Sequence, residues 1–287
     1  MAAIWWRELR AYFQSPFGYI SMGLFLVLFG ITATFSILFP RSPLYGGVLA
    51  QMRFMLIFVV PVLTMRLFTE ERRLRTDQLL LTVPLQLTDI VLGKFGAAMT
   101  VLVTMLLITV TYPVALSFFG DLPAGEIVTA YVGFLLLAAA FVAVGCFISS
   151  TTESLVVAAI VTFVALFLMW VMPGLQRLIP ADQSAGIIFT AVLGAGVAGL
   201  TFLATRNIIV TAGAAVVAAA AVVVIVLVDI TFYDTFINRF LVWFSPVDRY
   251  DTFARGLLNL SPIVYYLTFS AFFLLLTVRM IDKRRWA

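Results

Sequence analysis

Long runs without a single charged residue constrain this chain most. A helix that crosses a bilayer needs about 20 mostly apolar residues, because the hydrocarbon core is about 30 Å thick and a helix rises about 1.5 Å per residue. Seven runs without Asp, Glu, Lys or Arg are long enough. They are Ala11–Pro40, Phe95–Gly120, Ile127–Thr152, Ser154–Gln176, Gln183–Thr205, Asn207–Val228 and Gly256–Val278. The sequence therefore predicts an all-α polytopic membrane protein.

A shorter apolar stretch predicts an eighth transmembrane helix. Phe54–Met65 lies between Arg53 and Arg66, whose long side chains can reach the headgroup layers from a span near Val48–Phe68. Eight spans place both termini on one side of the membrane. With the N-terminus inside, the inner segments carry twice as many Lys and Arg residues as the outer segments. The bias of these cations toward the cytoplasm predicts an N-in/C-in topology.

The composition argues against a soluble enzyme. The chain is 63% hydrophobic and only 11% charged, whereas an ordinary soluble domain is about 25% charged. There is no His, and Cys146 is the one Cys, which excludes His-based sites, internal disulfides and Cys-cluster metal sites. No nucleophile–base or metal constellation is present, so we do not expect an enzyme. The expected partner is the lipid bilayer and not a nucleic acid.

The first residues, 1–15, are predicted to lie on the membrane as an interfacial helix. One helical face carries Trp5, Trp6, Leu9, Tyr12 and Phe13, and the opposite face carries Arg7, Arg10 and Gln14. The alternative is a simple continuation of the first span. Ser15-Pro16 favours a break, because Ser is a good N-cap and Pro a good first helical residue; Ser261-Pro262 offers the same signal at the last span.

A second segment, residues 229–261, is the longest predicted outer segment. Its aromatic residues recur at helical spacing, and Ser245-Pro246 then predicts the start of another short helix. We expect short outer helices before the last span. The alternative is an aromatic interface belt followed by a solvated charged face.

The most charged segment, residues 66–94, lies on the inner face between the second and third spans. Thr69 is placed to cap a helix whose positive end carries Glu70 and Glu71. A short, rigid, charged helix of this kind suits the transmission of force from a soluble partner. A solvated charged loop is the alternative.

The inner segment carries a resemblance to a known family. The pattern E-E-R-x-x-x-T-x-x-L-L-L-T-x-P, followed by D-I-V-L-G-K-F, resembles the membrane subunits of type-2 ABC transporters, and among them the gliding-motility-associated GldF-like permeases. Residues 7–19, 147–153 and 251–266 resemble further parts of that family in the same order. Two features depart from it: Arg75 stands where Gly is frequent, and many members have six spans. Residues 183–228 are therefore interpreted as an added helix pair.

The resemblance implies a function. Residues 1–287 would form a single transmembrane domain, the permease subunit of an ABC exporter in a bacterial cytoplasmic (inner) membrane. ATP and Mg would be bound by a partner ATPase, since this chain has no G-x-x-x-x-G-K-[ST] loop and is expected to bind no cofactor itself. ATP hydrolysis by that partner would drive the movement of an unidentified substrate or mechanical work across the membrane.

The resemblance also implies partners and coupling residues. The partners would be two copies of a cytoplasmic ABC ATPase subunit and a second permease subunit, either the same chain or a GldG-like protein with a large outer domain. The expected ATPase-coupling residues are Glu70, Glu71, Arg72, Arg73, Leu74, Arg75, Thr76, Asp77, Ser150, Thr151, Thr152 and Glu153.

Two other functions stay open. A noncatalytic membrane scaffold of an envelope machine would not stimulate ATP hydrolysis by a partner. A secondary transporter usually places Asp, Glu or His near the bilayer midplane. The predicted spans carry no acidic residue and no His at mid-depth, which disfavours the secondary transporter.

Overall fold

The computed structural model of the chain describes residues 1–38, 46–74, 86–118, 122–178 and 245–285, together with a few single residues between 190 and 220. Within these ranges the regular elements are helical, and none is a strand. The chain divides into two units, Met1–Trp170 with Pro246–Ala287 and Val171–Ser245. In the second unit the structure describes the end of one helix and isolated residues. The architecture given below is that of the first unit.

Eleven α-helices are assigned in the described ranges, and we number them in chain order. They are α1 Ala2–Gln14, α2 Pro16–Ala33, α3 Gly46–Met52, α4 Leu56–Thr64, α5 Thr69–Arg73, α6 Leu87–Thr109, α7 Thr111–Ser117, α8 Ala124–Thr151, α9 Leu155–Leu178, α10 Tyr250–Ala254 and α11 Leu260–Arg285. A π-helical turn, Thr34–Leu38, continues α2, and a 3₁₀ turn, Arg53–Met55, joins α3 to α4.

Six helical segments among the described residues are long and apolar enough to cross a membrane. They are Gly18–Ser36, Gly47–Arg73, Leu87–Ser117, Ala124–Thr151, Leu155–Gly174 and Leu260–Lys283. These segments correspond to the first five predicted spans and to the last one, so the chain is a multi-pass helical membrane protein. The predicted pair at 183–228 lies outside the described residues except at isolated positions, and the count of eight spans stays a prediction.

The break after the first helix is confirmed, but the predicted cap is not used. Ser15 has an extended backbone with φ −109° and ψ 148°, and Pro16 is the first residue of α2. The Ser15 hydroxyl makes no capping bond; it donates to the Tyr12 carbonyl oxygen at 3.4 Å and accepts a hydrogen bond from Arg66. At the last span, α11 begins at Leu260, so Ser261 lies inside the first turn and not at the predicted N-cap.

The core is built around α8, which packs against α4, α6, α10 and α11 and has the largest buried share of the six spans. Two glycines allow this close packing. A Cβ built on Gly145 would lie 2.3 Å from Thr64 Oγ1 on α4, and one built on Gly133 would lie 2.5 Å from the Phe253 ring on α10. In a bilayer, where helices gain little from hydrophobic burial, small residues strengthen packing by letting backbones approach.

The helices define two ends of the first unit. Near the start of α8, Phe253 packs against Gly133 and also contacts Tyr266 on α11; farther along, Phe147 contacts Phe273 at a ring distance of 6.0 Å. Thus α8 and α11 run parallel. The α5 end comprises α1, α5, the start of α6 and the end of α8, and the α10 end comprises α10 and the starts of α8 and α11. The last turns of α11 therefore point toward the α5 end.

The glycine packing gives a matched test of the fold. Gly145→Ala should lower the free energy of unfolding by about 1–3 kcal/mol, because the added methyl group would overlap Thr64. Gly23→Ala is the control, since a Cβ at Gly23 meets nothing within 4 Å and alanine favours helices. Unfolding of the purified protein in detergent measures both changes. Equal stability of the two variants would contradict the α4–α8 packing.

Candidate functional site

The two predicted coupling segments meet at the α5 end. The Thr69 hydroxyl donates to the Ser149 carbonyl oxygen at 3.1 Å. The Arg72 guanidinium donates to the Ser150 carbonyl oxygen at 3.2 Å and forms an ion pair with Glu153 at 2.9 Å. Arg72 and Glu153 are 81 positions apart in the chain. The first predicted inner loop and the second one therefore form a single surface.

The residues of α5 divide into a bound side and an exposed side. Thr69 is fully buried, and the Arg72 side chain is mostly covered. Arg73 is exposed, and Leu74 is 64% exposed. Glu70 is half-exposed and pairs with Arg66 one turn earlier at 3.1 Å. Arg75, Thr76 and Asp77 lie outside the described residues, so their predicted coupling role stays a prediction.

The prediction that Thr69 caps this helix is wrong. Glu70 and Glu71 do occupy the first turn, where carboxylates interact favourably with the positive helix end. Thr69, however, is the first helical residue, and the N-cap position is Phe68 without a side-chain cap bond. Thr69 uses its hydroxyl to bind the end of α8 instead. A hydrogen bond to a distant helix thus takes the place of the local cap on α5.

The second predicted segment is exposed only in part. Ser150 is buried, and its hydroxyl donates to the Phe147 carbonyl oxygen at 2.7 Å. Thr151 is exposed, Thr152 accepts a hydrogen bond from the Ser154 backbone at 3.2 Å, and Glu153 has a side chain 72% exposed. Thr151, Thr152 and Glu153 can therefore meet a partner, whereas Ser150 contributes its carbonyl oxygen to Arg72.

A buried charge cluster beside α5 was missed by the sequence reasoning. Lys94 on α6 is 1% exposed, and its ammonium donates to the Leu67 carbonyl oxygen. It also pairs with the carboxylates of Glu8 on α1, at 3.2 Å, and Glu71 on α5, at 3.0 Å. The clue in the sequence is a single Lys at the start of an apolar helix, because a buried charge must find counter-charges.

Arg7 completes the cluster with a second cation. Its guanidinium lies 2.7 Å from Glu8 and 2.6 Å from Glu71, so two cations face two anions. Burial lowers the pKa of Arg7, but the hydrogen bonds and negative charges of Glu8 and Glu71 outweigh that effect and raise the pKa overall. The guanidinium is therefore charged throughout the physiological pH range.

The apolar face predicted for α1 divides in the structure. Leu9 and Tyr12 are buried together with Ile4, and α1 packs on α6. Trp6, which was predicted on the same face, is 48% exposed. The Tyr12 hydroxyl donates to the Leu63 carbonyl oxygen at 2.6 Å, and burial raises the Tyr12 pKa well above its ordinary value. The helix thus faces the protein with a side that includes Glu8.

Arg53 and Arg66, which flank the apolar stretch of the second span, are bound by protein groups, although the sequence predicted that they reach the headgroups. Arg53 pairs with Asp251 and donates to the Val247 carbonyl oxygen at the α10 end. Arg66 donates to Ser15 and Glu70 at the α5 end.

The predicted short outer helix is present but begins at Tyr250, after a turn at 246–249. The predicted outer residues 229–244 lie outside the described residues.

Among the described residues no cluster of metal-ligating side chains is found, and a groove between two of the spans is lined by apolar side chains. In the part of the chain that the structure describes, no group of three or more His, Cys, Asp or Glu side chains is placed to hold a metal ion. A groove of about 320 Å³ between α6 and α8 is lined by Tyr131 and aliphatic side chains. The Tyr131 hydroxyl lies 3.0 Å from that of Thr109, so the groove suits apolar matter.

No model of a known protein family matches the chain, and no curated protein matches it either.

Neutralising one charge in the buried cluster should cost more unfolding free energy than neutralising one charge in the surface ion pair. Lys94→Met withdraws a cation from between two carboxylates and should cost about 3–5 kcal/mol of unfolding free energy. Glu153→Gln alters an exposed pair and should cost about 1 kcal/mol or less. Equilibrium unfolding in detergent compares them. A loss at Lys94 no greater than the loss at Glu153 would show that the cluster is not buried as described.

Proposed function

We propose that this chain is the transmembrane permease subunit of a type-2 ABC transporter. It would act as an exporter in the bacterial cytoplasmic (inner) membrane, with ATP hydrolysis supplied by a separate cytoplasmic ATPase subunit. One observation carries the proposal: the two segments that resemble the family's inner loops lie side by side, joined through Thr69 and Arg72 to the end of α8. Segments so far apart in the chain have no local reason to meet.

The geometry of α5 suits a coupling helix. One side is bound to α8 by Thr69 and Arg72, and the other side presents a cation and an apolar side chain, Arg73 and Leu74. A partner that grips the exposed side would pull on α8, the span with the largest buried share. Force applied at the surface would thus reach the centre of the first unit.

The charge distribution supports a cytoplasmic position for the α5 end. Lys and Arg residues concentrate on the cytoplasmic side of membrane proteins. The described cations at the α5 end or on the α11 turns that point toward it are Arg7, Arg10, Arg66, Arg72, Arg73, Lys94, Arg279 and Lys283. Those at the α10 end are Arg53, Arg249 and Arg255. This asymmetry favours the N-in/C-in topology and an ATPase-accessible α5.

The proposal includes two ATPase subunits and a second permease, either another copy of this chain or a GldG-like protein. Apolar side chains are exposed along α2 and α9, among them Val27, Ile31, Ile160 and Val164. Such surfaces are expected to contact lipid or a second permease subunit.

A secondary transporter gains no support, because the buried charged residue in the described spans, Lys94, lies at the α5 end and not at mid-depth.

Charge reversal on the exposed side of α5 tests the docking surface. Arg73→Glu should weaken ATPase binding by about tenfold or more, because a reversed charge at an interface repels the groups that matched the original one. Arg72 is unsuitable for this test, since its reversal would also break the contacts with Ser150 and Glu153. Lys283→Glu is the control, as Lys283 is exposed on the last turns of α11. Co-purification of the ATPase and its hydrolysis rate are measured.

Two results would contradict the proposal in different ways. Equal ATPase binding by the wild type and the Arg73→Glu variant would remove α5 as the docking site. Binding of an ATPase without any stimulation of its hydrolysis by the wild-type chain would favour a membrane scaffold.

A further inference from the structure

The ammonium of Lys94 contacts α1, the turn before α5 and α5 itself. It donates hydrogen bonds to Glu8 on α1 and to the Leu67 carbonyl oxygen before α5, and it forms an ion pair with Glu71 on α5 at 3.0 Å. The ammonium also lies 5.2 Å from the centre of the Phe68 ring. Lys94 itself belongs to α6. A single buried cation thus links α1 and α5 to α6.

The cluster contains more than a buried lysine needs for neutralisation. One carboxylate would balance the charge of Lys94, but two are present. The second anion is balanced by Arg7, which lies within 2.7 Å of Glu8 and 2.6 Å of Glu71. Arg7 thereby links α1 to α5 directly, without α6. The four side chains thus form a closed ring of ion pairs. Within it, α1 and α5 each make two ion pairs with other helices.

The helix packing around Lys94 is also close. A Cβ on Gly93 would lie 3.1 Å from Ile4, and a Cβ on Gly96 would lie 3.3 Å from Trp5. The Trp5 indole donates to the Thr100 hydroxyl at 3.0 Å. These contacts seat α1 along the first turns of α6, on both sides of the charge cluster.

We propose that Lys94 is a positioning residue that fastens α1, α5 and the start of α6 into one rigid body. The force received at α5 then moves the interfacial helix and the third span together, and not α8 alone. This inference rests on the proposed function for the origin of the force. The fastening itself depends only on the described contacts.

Glu70, the neighbour of Glu71 on α5, provides a matched contrast. Glu70 and Glu71 are neighbours, but Glu70 pairs locally with Arg66 at 3.1 Å, whereas Glu71 pairs with Arg7 on α1 and Lys94 on α6. Neutralising Glu71 therefore cuts contacts between elements. Neutralising Glu70 cuts a contact within one turn.

Hydrogen exchange of the purified chain tests the fastening without any partner. In Glu71→Gln, amide exchange should become about tenfold faster in both α1 and α5, because the two helices open together. In Glu70→Gln, exchange in α1 should equal that of the wild type. Faster exchange in α5 alone for Glu71→Gln would overturn the proposal, because the helices would then open independently.

A covalent bridge tests whether the connection itself matters. In a Cys146→Ala background, Arg7→Cys with Glu71→Cys should speed exchange in α1 and α5 about tenfold, and a short bis-maleimide bridge between the two thiols should restore slow exchange. With the ATPase present, the bridge should also restore stimulated hydrolysis. Inhibition of hydrolysis by the bridge, with slow exchange restored, would show that α1 and α5 must separate during turnover and would overturn the proposal. Absence of any ATPase complex with the wild type would instead contradict the proposed function and leave the exchange result to decide on the fastening.

Discussion

The pairing of a fully buried ammonium group determines how the α5 end is organised. Removing a charge from water is costly, and the cost is offset only when opposite charges and acceptors surround it. Lys94 meets this condition by drawing together Glu8 and Glu71 from two other helices. Together with the contacts of Thr69 and Arg72 to α8, these pairs hold α5 with Glu71 facing inward and α1 with Glu8 facing the protein. Arg73 is left exposed as a consequence, and this exposure is what makes a docking surface possible.

The α10 end is closed by different contacts. Arg53 reaches across from the second span to Asp251, and the Thr129 hydroxyl donates to the Phe253 carbonyl oxygen at 3.1 Å. After α10 the chain turns at Gly256, whose φ of 82° lies in the left-handed region that favours glycine. Between the two ends, close contacts such as Gly145 against Thr64 replace polar links. The unit is therefore pinned by polar groups at both ends and by small residues between them.

The sequence predicted the six described spans because hydrophobic length is a local property. It predicted the break at Ser15-Pro16 for the same reason, since proline fixes its own backbone angle. The predictions for individual side chains were wrong where the partner lies far away in the chain. Thr69 binds α8 instead of capping α5, and Arg53 binds Asp251 instead of reaching the headgroups. The role of Lys94 could not be read from spacing, because its partners lie 86 positions before it and on a neighbouring segment. Periodicity identifies an apolar face, but only tertiary packing decides which side of α1 meets α6.

The most direct measurement for the central claim is site-specific photo-crosslinking in intact cells. A photoreactive side chain at Leu74, which is 64% exposed beside α5, should capture a protein that carries a P-loop and hydrolyses ATP. The same group at Leu257, which is 55% exposed at the α10 end, should capture no such protein. Capture of the ATPase from Leu257, or from neither position while the subunit is folded in the membrane, would contradict the account.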